Sequence, residues 1–247
     1  MSGHSKWSTI KRKKGALDAK RGKVFTKIIK EISMAAKEGG DDPAANPRLR
    51  LAIQNAKGAN MPKDNIERAI KKGAGDDATV YLETTYEGYA PYGVPVFVEC
   101  TTDNLNRTVA SVRAAFSKFG GSLGTNGSIE FIFDRKGVFH LTQPDDIDED
   151  EFMLDLIDAG AEDVTVDDGY IQITCALEYF GHVQKKLEEL RLEPEVAELQ
   201  RIPNNRVVLP DEDLFKVMKL IDALEDDDDV KSVYHNIDIT EEQMEII

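Results

Sequence analysis

Residues 96–121, VFVECTTDNLNRTVASVRAAFSKFGG, change character part-way along. The first six are rich in β-branched and aromatic side chains and read as a strand. Asn104 or Asp103 then caps a helix that places Val109, Val112, Phe116 and Phe119 on one face, and Gly120 and Gly121 end it. A strand leading into a helix, with further strands on both sides, points to the α+β class. Upstream, residues 80–86 read as a strand and residues 88–95 as a turn-rich loop. Downstream, residues 128–133 and 138–142 are expected to form a hairpin around Asp134-Arg135-Lys136-Gly137.

A ferredoxin-like β-α-β-β-α-β unit then still lacks a helix and a strand, and suitable candidates occur only near the end of the chain. Asp211 is expected to cap a helix through Leu214, Val217, Met218, Ile221 and Leu224, and residues 230–235 supply the strand. Residues 144–203 form a set of their own. It has a helix through Phe152, Leu156 and Ile157, strands at Val164 and Ile171 joined by Asp168-Gly169, a helix through Val183 and Leu187, and a strand near Val196. This arrangement predicts an α+β chain with an N-terminal helical domain and two ferredoxin-like α+β domains, one inserted in the other. The expected domains are 1–78, then 79–143 joined with 204–247, with 144–203 as the insert. Consecutive domains are the alternative arrangement.

The N-terminal part is helical. In residues 20–37, Val24, Phe25, Ile28, Ile29, Ile32, Ala35 and Ala36 share a face, while Lys20, Lys23, Lys27, Lys30 and Lys37 lie opposite, with Gly39 and Gly40 as the stop. Pro47 opens a second helix through Leu49, Ala52, Ile53 and Ala56. Pro62 opens a third through Ile66, Ala69 and Ile70, with Lys63, Arg68, Lys71 and Lys72 off its apolar face.

The chain has 247 residues, 41 % hydrophobic and 31 % charged, and no apolar run approaches the roughly 20 residues of a membrane span. A soluble protein with no membrane partner is expected. The formal net charge of -15 argues, taken alone, against a polyanionic partner. Residues 1–75, however, hold 18 Lys or Arg against 7 Asp or Glu, net +11, and residues 76–247 hold 13 against 39, net -26. The proposed insert alone is net -14, with 18 acids and 4 bases. A basic N-terminus also suits a mitochondrial presequence, but here the basic stretch continues into helices with apolar faces and favours Lys over Arg. No apolar segment of a secretory signal follows Met1. Cys100 and Cys175 sit singly in strand-like runs, as buried thiols of a reducing compartment.

Signatures of catalysis are weak. Gly22-Lys23 lacks the preceding glycine and the following Ser or Thr of a phosphate loop, and Gly120 to Gly124 follow a helix where a dinucleotide fingerprint would follow a strand. Asp146, Asp148 and Asp150 resemble the start of a calcium loop, but Glu151 stands where glycine is needed and Ile157 where the closing Glu belongs, so a helix start is favoured. Asp226 to Asp229 read as a charged loop rather than a metal site. His4, His140, His182 and His235 are scattered, and no Ser or Cys has a nucleophile elbow. No catalytic residue, metal site, cofactor or small-molecule substrate is expected. A hydrolase cleft lined by Tyr86, Tyr89, Tyr92 and Arg107 is the enzymatic alternative, and Arg107 also reads as a hydrogen-bonding brace.

What remains is the N-terminus. Trp7 lies beside Lys6 and ahead of Lys11, Arg12, Lys13 and Lys14, a setting that suits base stacking with phosphate neutralisation; packing of Trp7 as a hydrophobic anchor suits it equally. Together with Lys20, Arg21, Lys23, Lys27, Lys63, Lys71 and Lys72, these residues form the expected nucleic-acid-binding set.

Several runs are those of a known family: Gly3-His4-Ser5-Lys6-Trp7, Ala19-Lys20-Arg21-Gly22-Lys23, Asn46-Pro47-Arg48-Leu49-Arg50, Asn60-Met61-Pro62-Lys63-Asp64-Asn65-Ile66, Tyr86-Glu87-Gly88-Tyr89, residues 103–108 and 120–127, Ala159-Gly160-Ala161-Glu162-Asp163-Val164, residues 224–229, and Val233-Tyr234-His235-Asn236. On these the sequence resembles the YebC/PmpR family, whose mitochondrial members are translational activators of cytochrome oxidase. The resemblance implies a helical N-terminal domain, two α+β domains with one inserted in the other, a cytoplasmic location and no catalytic activity. It implies a role in gene expression of one of two kinds: foremost a DNA-binding transcriptional regulator, or else a ribosome-associated translation factor bound to ribosomal RNA. The opening motif directly after Met1 argues against a cleaved presequence. An adaptor whose acidic domains engage basic proteins is the reading of a different class.

Overall fold

The computed structural model describes residues 17–144, 147–167 and 169–244, with side chains from Gly22 onward and except at 241. The chain is α+β, with helices at the N-terminal end and two four-stranded sheets. It divides into two compact units, one formed among the described residues by 17–30, 79–134 and 203–244, the other by 31–78, 135–144, 147–167 and 169–202.

In the first unit, β1 (Leu82–Tyr89) pairs antiparallel with β2 (Pro95–Thr102) and with β3 (Ser122–Leu123), and β2 pairs antiparallel with β8 (Val230–His235). The sheet order is β3-β1-β2-β8. Helices α4 (Leu105–Lys118) and α7 (Asp211–Glu225) bury Val112, Phe116, Leu214, Val217, Leu220, Ile221 and Leu224 with Val96, Val98 and Cys100 of β2. The alternate residue Phe97 points to a second cluster with Ile129, Phe133 and Tyr234. Strand β2 is therefore buried on both faces apart from the half-buried Glu99, with its apolar residues concentrated on the helix-covered face. Asn104 caps α4 by accepting from the Arg107 N–H. Asp211 is not a cap: Pro210 occupies that position and Asp211 is the first helical residue, its carboxylate accepting from the Gln243 side chain at 2.9 Å.

The second unit contains the split β-α-β topology. Strand β4 (Phe133–Thr142) leads through α5 (Glu149–Asp158) to the hairpin β5 (Ala161–Asp167) and β6 (Tyr170–Ala176), and then through α6 (Phe180–Glu189) to β7 (Val196–Pro203), in the order β5-β6-β4-β7. This is the ferredoxin-like order, with each helix crossing over a neighbouring strand. Asp148 caps α5 by accepting from the Glu151 N–H, so this acidic stretch is a helix start, as expected, although Asp146 lies outside the described residues.

The expected hairpin at residues 128–142 is not formed. Residues 133–142 are one strand, and residues 138–142, expected in the other sheet, pair with β6 here. The polar run Asp134 to Gly137 resembled a turn, but Gly137 lies mid-strand for a packing reason. A Cβ there would fall 2.6 Å from the Phe180 ring and 2.7 Å from Cys175 Sγ. The absence of a side chain lets Phe180 stack on Phe139, with centroids 4.7 Å apart.

Three helices contribute to this second unit: the last part of α1 (Leu17–Gly39), α2 (Pro47–Gly58) and α3 (Lys63–Ala74). Helix α2 is bound to β7 by Asn55, whose amide donates to the Ala197 carbonyl and accepts from its N–H, both at 2.9 Å. Asn46 is 4 % exposed and fully used. Its oxygen caps α2 at the Leu49 N–H, and its amide donates to the carbonyls of Ala35 at 2.7 Å and Gly40 at 2.8 Å, fixing the end of α1. Asn46→Ala is expected to lower the unfolding free energy by about 2 kcal/mol, one cap and two buried bonds less the water they exchange for. A denaturant midpoint shift at unchanged slope measures it.

Candidate nucleic-acid interface

On α1, Lys23, Lys27 and Lys30 fall at i, i+4 and i+7, a single stripe. The stripe meets the C-terminus of α7, where the last carbonyls lack intrahelical partners and carry the negative end of the helix dipole. Lys23 Nζ donates to the Asp226 carbonyl at 3.1 Å and pairs with its carboxylate at 3.2 Å. Lys27 Nζ donates to the Glu225 carbonyl at 2.7 Å, and Lys30 Nζ to the Asp228 carbonyl at 2.8 Å and the Thr101 carbonyl at 3.2 Å. These cations cap a helix.

The centre of the arrangement is Asp229, 6 % exposed. One oxygen accepts from Lys30 at 2.8 Å; the other accepts from Arg107 Nε at 3.0 Å and Nη2 at 2.6 Å, Thr108 Oγ1 at 3.0 Å and Thr102 Oγ1 at 3.2 Å. Burial works to raise this carboxyl's pKa, but the bonds from Lys30, Arg107 and Thr108 outweigh it and hold it at about 2. The same bonds raise the Arg107 pKa, Asp229 first and then Asp103, with which Arg107 pairs at 2.8 Å. Around them lies a groove of about 540 Å³ lined by Lys23, Thr26, Lys30, Tyr81, Arg107, Asp103 and Asp226 to Asp229. Every cation lining it already has an acidic partner.

Of the expected binding set, Lys23 and Lys27 thus meet the end of α7. Lys63, Lys71 and Lys72 are exposed on α3, Lys63 with only a 3.6 Å contact to Glu67 one turn on. Lys20 and Arg21 lie near the start of α1. Lys6, Trp7, Lys11, Arg12, Lys13 and Lys14 lie outside the described residues. Sequence reasoning placed Lys30 on the stripe and read Asp226 to Asp229 as a loop, but did not connect them. The available signal was the match of a spaced lysine stripe to an acidic run.

The enzymatic alternative finds no convergence. Arg107 lies at the end of the β1–β2 hairpin where Leu82 faces Thr102, while Tyr89 and Tyr92 lie at its other end, about 20 Å away along the strand. Arg107 is the brace of Asp229. Both cysteines are free and buried. Burial raises the Cys100 thiol to about 12, helped by Asp227 and Asp229, and raises Cys175 to about 11, so neither offers a thiolate near neutrality. Burial lowers His140 to about 4 and keeps it neutral at pH 7. Among the described residues, no helix is long and apolar enough to cross a membrane.

Residues 5–76 match the family model for the TACO1/YebC protein N-terminal domain, and residues 81–237 match that for the TACO1/YebC second and third domain. A protein of Amoebophilus asiaticus named "Probable transcriptional regulatory protein" is 61 % identical over 239 residues, which cover 96 % of this chain and 98 % of that one. One of Geotalea uraniireducens with the same name is 54 % identical over 246 residues, covering 99 % of each. The crystal structure of a conserved hypothetical protein from Aquifex aeolicus, 45 % identical, superposes with a TM-score of 0.80 over 91 % of this chain and 93 % of that one. With both models matched along almost the whole length and relatives this similar, the chain belongs to the TACO1/YebC family.

Proposed function

We propose that this protein is a non-enzymatic regulator of gene expression that binds DNA through its basic N-terminal residues 1–78, which the two compact units share, and acts in transcription. The observation that carries the reading is the charge segregation, net +11 over residues 1–75 against net -26 over the rest. A basic face binds DNA by displacing condensed counterions from its phosphates, while acidic domains are repelled from the same phosphates. The names of the relatives, probable transcriptional regulatory proteins, support the role in transcription.

The contact set draws on Lys6, Trp7, Lys11, Arg12, Lys13, Lys14, Lys20, Arg21, Lys63, Lys71 and Lys72. Lys23 and Lys27, expected in that set, would have to give up their bonds to Asp226 and Glu225 first, so their role is to hold α1. Crosslinking in cells followed by sequencing of the bound nucleic acid tests the proposal. DNA reads concentrated at promoters are expected, and reads confined to ribosomal RNA would replace transcription with translation.

A further inference from the structure

Helix α5 is apolar on two sides. Phe152 and Leu156, four residues apart on one face, enter the core of the second unit. The sequence groups Ile157 with them, but a step of one residue turns a helix by about 100°, and Ile157 emerges 57 % exposed. Leu154, three residues earlier on the same outer face, is 64 % exposed. The apolar surface continues past the helix end. The Gly160 N–H donates to the Ile157 carbonyl at 2.9 Å, and Gly160 has a positive φ of 100°. A Cβ there would fall 2.5 Å from Cγ of Tyr179, so the glycine lets the half-exposed Tyr179 lie against it. Leu154, Ile157 and the Tyr179 ring thus line the outer side and C-terminal end of α5.

The charges of this helix are of one sign. It has five acids and no base, and on its outer face the exposed Asp150, Glu151 and Asp158 flank Leu154 and Ile157. Asp150 and Glu151 lie in the first turn, where the positive end of the helix dipole favours them, but Asp158 is the last residue, where the same dipole disfavours a carboxylate. None of the three forms an ion pair among the described residues, nor does Glu178 beside Tyr179. Lys186 of α6 is taken up by Asp155 at 3.5 Å, and Lys136 of β4 by Glu162 at 2.8 Å. Exposed aliphatic side chains between unpaired acids, and a carboxylate at the disfavoured end of a helix, are both relieved by a partner that brings apolar groups and cations together.

We propose that the outer face of α5, with Tyr179, is a docking site for a basic amphipathic helix of another protein. The apolar stripe of that helix packs on Leu154, Ile157 and Tyr179, and its flanking lysines or arginines pair with Asp150, Glu151, Asp158 and Glu178. Three anchors make a small, transient interface. The acidic unit, repelled from DNA phosphates, thereby has a partner of its own, and the site does not depend on which nucleic acid the basic residues bind.

Fluorescence anisotropy of the intact chain tests it, with two labelled peptides of about five helical turns: an amphipathic helix of leucine and lysine, and oligolysine. Leu154 and Ile157 are both replaced by glutamine, a good helix former, which at side chains this exposed should leave the melting temperature unchanged. The double variant should bind the leucine–lysine peptide at least about tenfold more weakly, and oligolysine within about twofold of the unaltered protein. Asp158→Asn should weaken the leucine–lysine peptide by about two- to threefold at low salt and less at high salt. Val80→Gln, at an exposed apolar residue of the other unit, should change neither affinity. Unchanged binding of the leucine–lysine peptide by the double variant overturns the inference, as does an equal loss with Val80→Gln or no binding by the unaltered protein. Sedimentation of the protein alone checks the other occupant: a dimer that the double variant abolishes makes this face a contact between copies of the chain and overturns the partner. The DNA-binding reading is tested with duplex and stands or falls separately.

Discussion

Asp229→Ala is expected to lower the unfolding free energy by about 3 kcal/mol, the low end for removing one member of a buried charge cluster because Arg107 is half in water. The substitution leaves Lys30, 12 % exposed at its side chain, without its carboxylate and deprives Thr102 and Thr108 of a shared acceptor. It also leaves Arg107 with Asp103 as its remaining carboxylate partner. Asp229→Asn should cost less at neutral pH, and the difference from the unaltered protein carries a pH signature. A carboxyl held at about 2 in the fold, against about 4 in the unfolded chain, contributes its full stabilisation above pH 4 and loses it as pH falls toward 2. Denaturation curves of the two proteins should therefore converge between pH 4 and 2. A constant gap across that window would show that the charge of Asp229 is not what stabilises the cluster.

The second large effect is on binding. Replacing Lys11, Arg12, Lys13 and Lys14 with alanine removes four cations from the proposed phosphate contacts, and at about 0.9 per phosphate the slope of log K against log salt should become shallower by roughly 3 to 4. At low salt the duplex affinity should fall at least about 100-fold. Substituting Lys23 should do something different. Its bonds are internal, so the loss should appear in thermal stability, with duplex affinity changing little.

The strand and helix of residues 96–121 were legible because each has a clean period and a cap, and both formed with boundaries near those expected. The β-α-β-β-α-β pattern was also legible, but the unit that carries it is the one beginning at β4. The difference lies at Gly137, which is mid-strand. A glycine among polar residues signals a turn locally, while its actual reason, room for Phe180 and Cys175, lies some 40 residues downstream. The Asp229 cluster was hidden for a similar cause. Lys30 and Asp229 are 199 residues apart, and attraction between distant charges leaves no periodic trace in a sequence.

The most direct test of the central claim, that a cationic N-terminal domain binds nucleic acid despite a net charge of -15, is the affinity of the intact chain for a 20-base-pair DNA duplex measured from 50 to 300 mM salt. At least four phosphate contacts predict a line of log K against log salt with a slope of about -4 or steeper. An affinity that does not change with salt, or no binding at the lowest salt, would contradict it.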